Sequence, residues 1–210
     1  TMNTVIYPVA PGKDFTVSTQ NLELSVPESA ASAFTATITN ADTQDTEKVT
    51  KYEKHIERDT MKDQTFGSYV TDGYLAVVDE TNGRLSMAAM QGGTKLNDAA
   101  GRSLILSKNR LEGFSVTWKN GQLELSTGKT VVHGKADVDP ENEIDLDQLT
   151  VYAPNYINGV TLNGERISYK RAGSYIYFGT EPLRDDGEVP EPVQGMLILV
   201  CVAIYAVLIQ

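Results

Sequence analysis

Six acids stand at successive odd positions: Asp137, Asp139, Glu141, Glu143, Asp145 and Asp147. Alternate residues of an extended chain share a face, so in that conformation all six carboxylates would line one side. Oxygen donors in this number suit calcium, which takes about six to eight of them. Asp137, Asp139, Glu141, Glu143 and Asp145 are therefore the candidate metal ligands. The spacing is not that of an EF-hand, because no glycine stands sixth and Gln148 occupies the place of the bidentate glutamate. Pro140 interrupts the run as well. The same acids would also serve as a solvated loop, or as a charged edge that discourages sheet-to-sheet pairing.

Other chemistry is sparse. His55 and His133 are the only histidines. A histidine base with a positioned tyrosine would suit proton abstraction beside a carboxylate, as in a lyase. Ten tyrosines make chance proximity common, and no partner at fixed spacing accompanies either histidine, so both read as bystanders. No serine lies in a Gly-x-Ser-x-Gly context. Gly92-Gly93-Thr94 lacks the Lys-Ser/Thr pair of a phosphate loop. The single cysteine, Cys201, excludes an internal disulfide and any multi-cysteine zinc site. The chain alone reads as non-catalytic.

Aromatic residues offer a binding surface instead. Trp118, Tyr152, Tyr156, Tyr169, Tyr175 and Tyr177 can stack on pyranose rings, or fill a sheet core and its cross-strand pairs. Lys170 and Arg171 beside Tyr169 make Tyr169, Lys170, Arg171, Tyr175 and Trp118 the candidate ligand residues. The formal charge of −10 argues against nucleic acid, which needs clustered Lys and Arg.

The elements that must carry these residues are strands. Phe15–Ser18, Leu22–Val26, Phe34–Thr39, Leu75–Val78, Leu85–Met90, Leu104–Leu106, Phe114–Trp118, Leu123–Ser126 and Leu149–Ala153 are short β-rich runs. Thr4–Val9 reads as a first strand, and Leu75–Val78 as one buried on both faces. Asn82-Gly83, Asn120-Gly121 and Asn163-Gly164 are type I′ hairpin signals. Gln91–Thr94 and Asp98–Gly101 are further turns, and 159–179 is a closing meander. For Lys48–Gln64 a strand plus an excursion is favoured over a helical stripe. No stretch supports three helical turns, which excludes an α/β fold. The fold class is all-β, an antiparallel sandwich of many short strands over residues 1–180.

Residues 181–195 are acidic and contain Pro182, Pro190 and Pro192, the composition of a linker. Residues 196–210 are almost wholly apolar, somewhat short of the roughly 20 residues a bilayer needs, and read as a membrane anchor or sorting signal. The opening residues lack a charged region followed by an apolar core. The expectation is a fragment, or the last domain of a longer exported chain at the cell surface, in the periplasm or at the outer membrane.

Val189-Pro190-Glu191-Pro192 before the apolar stretch resembles the PEP-CTERM sorting signals of Gram-negative bacteria, although their terminal basic cluster is absent. Asp72–Val78, Gly92–Leu96, Val160–Gly164 and Gly173–Phe178, with Thr4–Pro8 and its Pro-Gly turn, resemble the C-terminal β-sandwich regions of heparinase II/III-like polysaccharide lyases. That resemblance implies an accessory sandwich of a polysaccharide-degrading enzyme, partnered by a polysaccharide or a preceding catalytic domain. Carbohydrate-binding and structural or adhesive roles, the latter calcium-stabilised, are the alternatives.

Overall fold

The computed structural model describes residues 12–55 and 62–185. Among them lie strands, turns, one 3₁₀ turn (Leu146–Gln148) and no α-helix. The strands are β1 (Phe15–Asn21), β2 (Ala31–Asn40), β3 (Thr46–Lys54), β4 (Gln64–Phe66), β5 (Tyr69–Thr71), β6 (Leu75–Thr81), β7 (Arg84–Asp98) and β8 (Ser103–Lys119). They continue with β9 (Gln122–Thr127), β10 (Thr130–Val132), β11 (Glu143–Asp145), β12 (Leu149–Tyr152) and β13 (Gly159–Leu162). The last three are β14 (Glu165–Arg166), β15 (Lys170–Ala172) and β16 (Tyr175–Tyr177).

One hydrogen-bonded sheet runs β1-β2-β3-β6-β7-β8-β12-β16-β15, antiparallel throughout. It closes into a sandwich because β7 and β8 each serve both layers. The first half of β7 pairs with β6 and its second half with β5. The first half of β8 pairs with β12 and its second half with β9, which carries β13 in parallel. Inward residues alternate with outward ones on each layer, as the pleat requires. Ala76, Val78, Ala88, Met90, Val116 and Leu125 of one layer share a core with Phe66, Leu96, Ile105, Val151 and Ile176 of the other.

The fold-over has a specific corner. Pairing of β7 with β8 slips at Met90/Gln91, Gln91/Gly93 and Gly93/Lys95. Gly92 has φ +73, and a Cβ there would stand 1.8 Å from the Tyr74 ring. A Cβ on Gly93 would stand 2.6 Å from the Gly73 backbone. The buried Asp72 carboxylate accepts the Thr94 and Lys95 amides, each at 2.9 Å, and the Thr94 hydroxyl at 2.5 Å. Gln91–Thr94 is therefore a bulge within one bent strand rather than a turn between two. The side chain of Asp72 takes the amides that the ladder loses, so the strand bends without ending.

The three Asn-Gly turns have positive φ at both residues, as expected for type I′. Leu104–Leu106 and Phe114–Trp118 belong to one strand, β8. Leu22–Val26 is not a strand, and Leu75–Val78 alternates half-buried with buried residues instead of being enclosed on both faces. Lys48–Lys54 is strand, as favoured, while 56–61 lie outside the described residues, as does the expected strand Thr4–Val9. Residues 182–185 lie on the outer face of the second layer. There the Leu183 amide donates to Thr150 Oγ1 at 2.7 Å and Asn97 donates to Asp185 at 2.7 Å. The Pro-Glu-Pro motif and apolar stretch fall outside the described residues. No helix among the described residues is long and apolar enough to cross a membrane.

Gly83 and Gly92 both have positive φ, but a Cβ on Gly83 meets nothing within 4 Å. Gly83→Ala should cost about 1 kcal/mol of stability from φ alone, whereas Gly92→Ala should cost about 3 kcal/mol or more. Urea unfolding of the two variants checks this; equal losses would show that the corner is not tightly packed.

Candidate functional site

The folded-over hairpin brings both ends of β7 to one place. A fully extended strand of 15 residues would part its ends by roughly 50 Å. Here Arg84 and Asp98, its first and last residues, line the same groove, of about 500 Å³. The groove opens between the turns that join β6 to β7, β7 to β8 and β4 to β5, and the loop leaving β12. Tyr69, Glu80, Arg102, Tyr152 and Tyr156 complete its polar and aromatic walls.

Arg102 is the central group. Its guanidinium carbon lies 4.2 Å from the Tyr152 ring centroid, close enough for a cation–π contact. One terminal nitrogen donates to Tyr152 Oη at 2.9 Å, and the other pairs with Asp98 at 2.6 Å. Asp98 holds the turn as well, accepting the amides of Ala100 at 3.0 Å and Arg102 at 2.9 Å. Across the groove Tyr69 Oη donates to Glu80 at 2.5 Å. Burial, then the Glu80 contact and charge, drives the Tyr69 hydroxyl well above the usual tyrosine range. Tyr69 is thus a fixed donor, not a ready base. Tyr156 is 56% exposed, a large aromatic surface left in solvent beside these polar groups.

The aromatic residues singled out by sequence divide. Tyr152 and Tyr156 are in the groove. Trp118 is 5% exposed, with its indole N–H donating to the Tyr152 carbonyl at 2.9 Å, so it ties one layer to the other. Arg171 donates to the carbonyls of Ala153 at 2.7 Å and Ile157 at 2.9 Å, and Lys170 to that of Gly179 at 2.6 Å. Tyr169 is half-buried against the core. Tyr175 packs edge-on against Tyr152 with centroids 6.0 Å apart. None of the five candidate ligand residues lines the groove; Tyr175 and Trp118 reach it only through Tyr152. Tyr69, Glu80, Arg84, Asp98 and Arg102 were missed, since nothing in their spacing shows that a bent strand unites them.

The acidic run is extended only at Glu143–Asp145. Bends and a turn occupy 136–142, where Asp139 accepts the Glu141 amide at 3.1 Å and the Asn142 side chain at 2.8 Å. Glu143 pairs with Lys135, and Asp147 with His133 at 2.9 Å. Asp145, 2% exposed, accepts the amides of Gly134, Lys135 and Asp147, each at 3.0 Å. Asp137 is exposed, and no three metal-ligating side chains converge among the described residues. His55 stands 3.0 Å from Ser32 Oγ, with the Ser29 carbonyl 3.3 Å behind it. That carbonyl can only accept, so Nδ1 donates to it. No carboxylate orients the ring among the described contacts.

No known protein-family model matches the chain, and no curated protein matches its sequence.

The Tyr69 environment has a pH consequence. Below the ordinary tyrosine pKa of about 10 both folded and unfolded states keep the proton, and the contribution to stability is complete. Above it only the unfolded state ionises, so stability falls as pH rises further. Urea midpoints between pH 8 and 11 should therefore decline more shallowly in Tyr69→Phe than in the parent. Parallel slopes would contradict the assignment.

Proposed function

We propose that the chain is a non-catalytic β-sandwich module that binds polysaccharide in the groove between Tyr156 and Arg102, as the accessory part of a larger polysaccharide-degrading enzyme. The observation that carries this reading is the exposed Tyr156 ring set beside Tyr152, Arg102, Asp98 and Glu80 in one open groove. A sugar ring has apolar C–H faces and a rim of hydroxyls. Aromatic faces take the first, and fixed charged donors and acceptors take the second. Arg102 and Asp98 are held by each other and by the turn amides, so little ordering entropy remains to be lost on binding.

Affinity electrophoresis in gels containing alginate, chondroitin, heparin or a neutral glucan tests the proposal. At least one polysaccharide should retard the protein. Tyr156→Ala should weaken that binding about tenfold, roughly 1.4 kcal/mol, while its unfolding midpoint stays put. Release of unsaturated uronate, followed by absorbance, should be absent. Retardation by none of the four, or robust turnover, would overturn the proposal.

A further inference from the structure

A second cavity, of about 380 Å³, lies on the far side of the Tyr152–Tyr175 pair. Tyr152 lines the first groove and Tyr175 the second, and Arg102 of the first is flanked in sequence by Gly101 and Ser103 of the second. The two spaces therefore adjoin across one aromatic wall. The second is roofed by 183–185, which Lys95 and Asn97 hold through Asp185, at 3.2 and 2.7 Å. Arg184 lines the cavity, while its Nε and Asn97 Oδ1 are enclosed behind the lining, with no hydrogen-bond partner among the described residues.

We infer that the two cavities are successive subsites for an internal stretch of a linear glycan, crossing Tyr175 from Tyr156 to Arg184, rather than one pocket for a terminal sugar. The inference rests on the proposed polysaccharide binding. The first cavity supplies the exposed ring and the Arg102–Asp98 pair. The second supplies Arg184, Tyr175 and Ser103. Acids and bases both line the two cavities, with Glu80, Asp98 and Asp185 among Arg84, Arg102, Lys95 and Arg184. Such a lining matches the hydroxyl rim of a chain along its length better than it matches a uniform row of like charge.

Calorimetric titration with size-defined oligosaccharides of whichever polysaccharide retards the protein tests the path. Affinity should rise at least tenfold from disaccharide to hexasaccharide. Arg184→Trp, which fills the second cavity from an irregular segment, should bring hexasaccharide affinity down to the disaccharide value while leaving disaccharide binding unchanged. Arg184→Ala, which cannot crowd the fold, should lower hexasaccharide affinity about threefold to tenfold with the disaccharide again unaffected. Tyr156→Ala should weaken both lengths. Length-independent affinity, or hexasaccharide binding indifferent to both Arg184 variants, would overturn the two-subsite path while leaving single-site binding standing. Binding at no length would overturn the polysaccharide reading, and the path with it.

Discussion

A strand that bends sharply inside a dry interior strands its backbone amides, and each unpaired one costs about 1–3 kcal/mol. In β7 the bend falls at Gly92 and Gly93, and the Asp72 carboxylate accepts the amides of Thr94 and Lys95 that follow. The rest of the molecule depends on this one clamp. With the corner in place, a single sheet supplies both layers and β7 begins and ends at the same groove. Without it the strand would run straight, the layers would part, and Arg84 and Asp98 would stand at opposite ends of a ladder. The glycines are required for different reasons. Gly92 leaves room for the Tyr74 ring, and Gly93 lets the backbone of Gly73 approach.

Two sets of hydrogen bonds border the groove and fix its walls. The Trp118 indole reaches across to the Tyr152 carbonyl, and the Arg171 guanidinium gathers the carbonyls of Ala153 and Ile157. These three bonds fix the end of β12 and the loop that follows it, which places Tyr152 and Tyr156. Trp118 and Arg171, which sequence alone offers as ligand residues, therefore hold the strand end and loop that line the groove. The buried Trp118 indole N–H finds its acceptor across the layers, as buried polar groups generally must, and the exposed Arg171 caps carbonyls of the loop.

Much of the architecture was legible because local chemistry dictates it. Asn82-Gly83, Asn120-Gly121 and Asn163-Gly164 give type I′ turns through positive φ, which asparagine and glycine tolerate. The alternation in Phe34–Thr39 and Leu123–Ser126 marks half-buried strands in the same way. The bend at Gln91–Thr94 was not legible as such, because glycine pairs signal turns and bulges alike, and what separates them is a carboxylate some twenty residues earlier. The groove was half legible. Tyr152 and Tyr156 stood out as aromatics in β-rich sequence, but Arg84, Asp98 and Arg102 meet them only through the folded-over hairpin. The acidic run read as one face because alternate residues share a side only while the chain is extended. Pro140 and the Asp139 turn end that condition, and Asp145 goes to satisfy amides in the interior.

The measurement that bears most directly on the central claim is amide chemical-shift mapping of the isotopically labelled protein during titration with a bound oligosaccharide. The account predicts shifts concentrated at Asp98–Arg102 and Tyr152–Tyr156, with the hairpin at Lys170 and Arg171 changing little. Shifts centred on Lys170 and Arg171, or spread over the outer face of β1 and β2 with the groove silent, would contradict it.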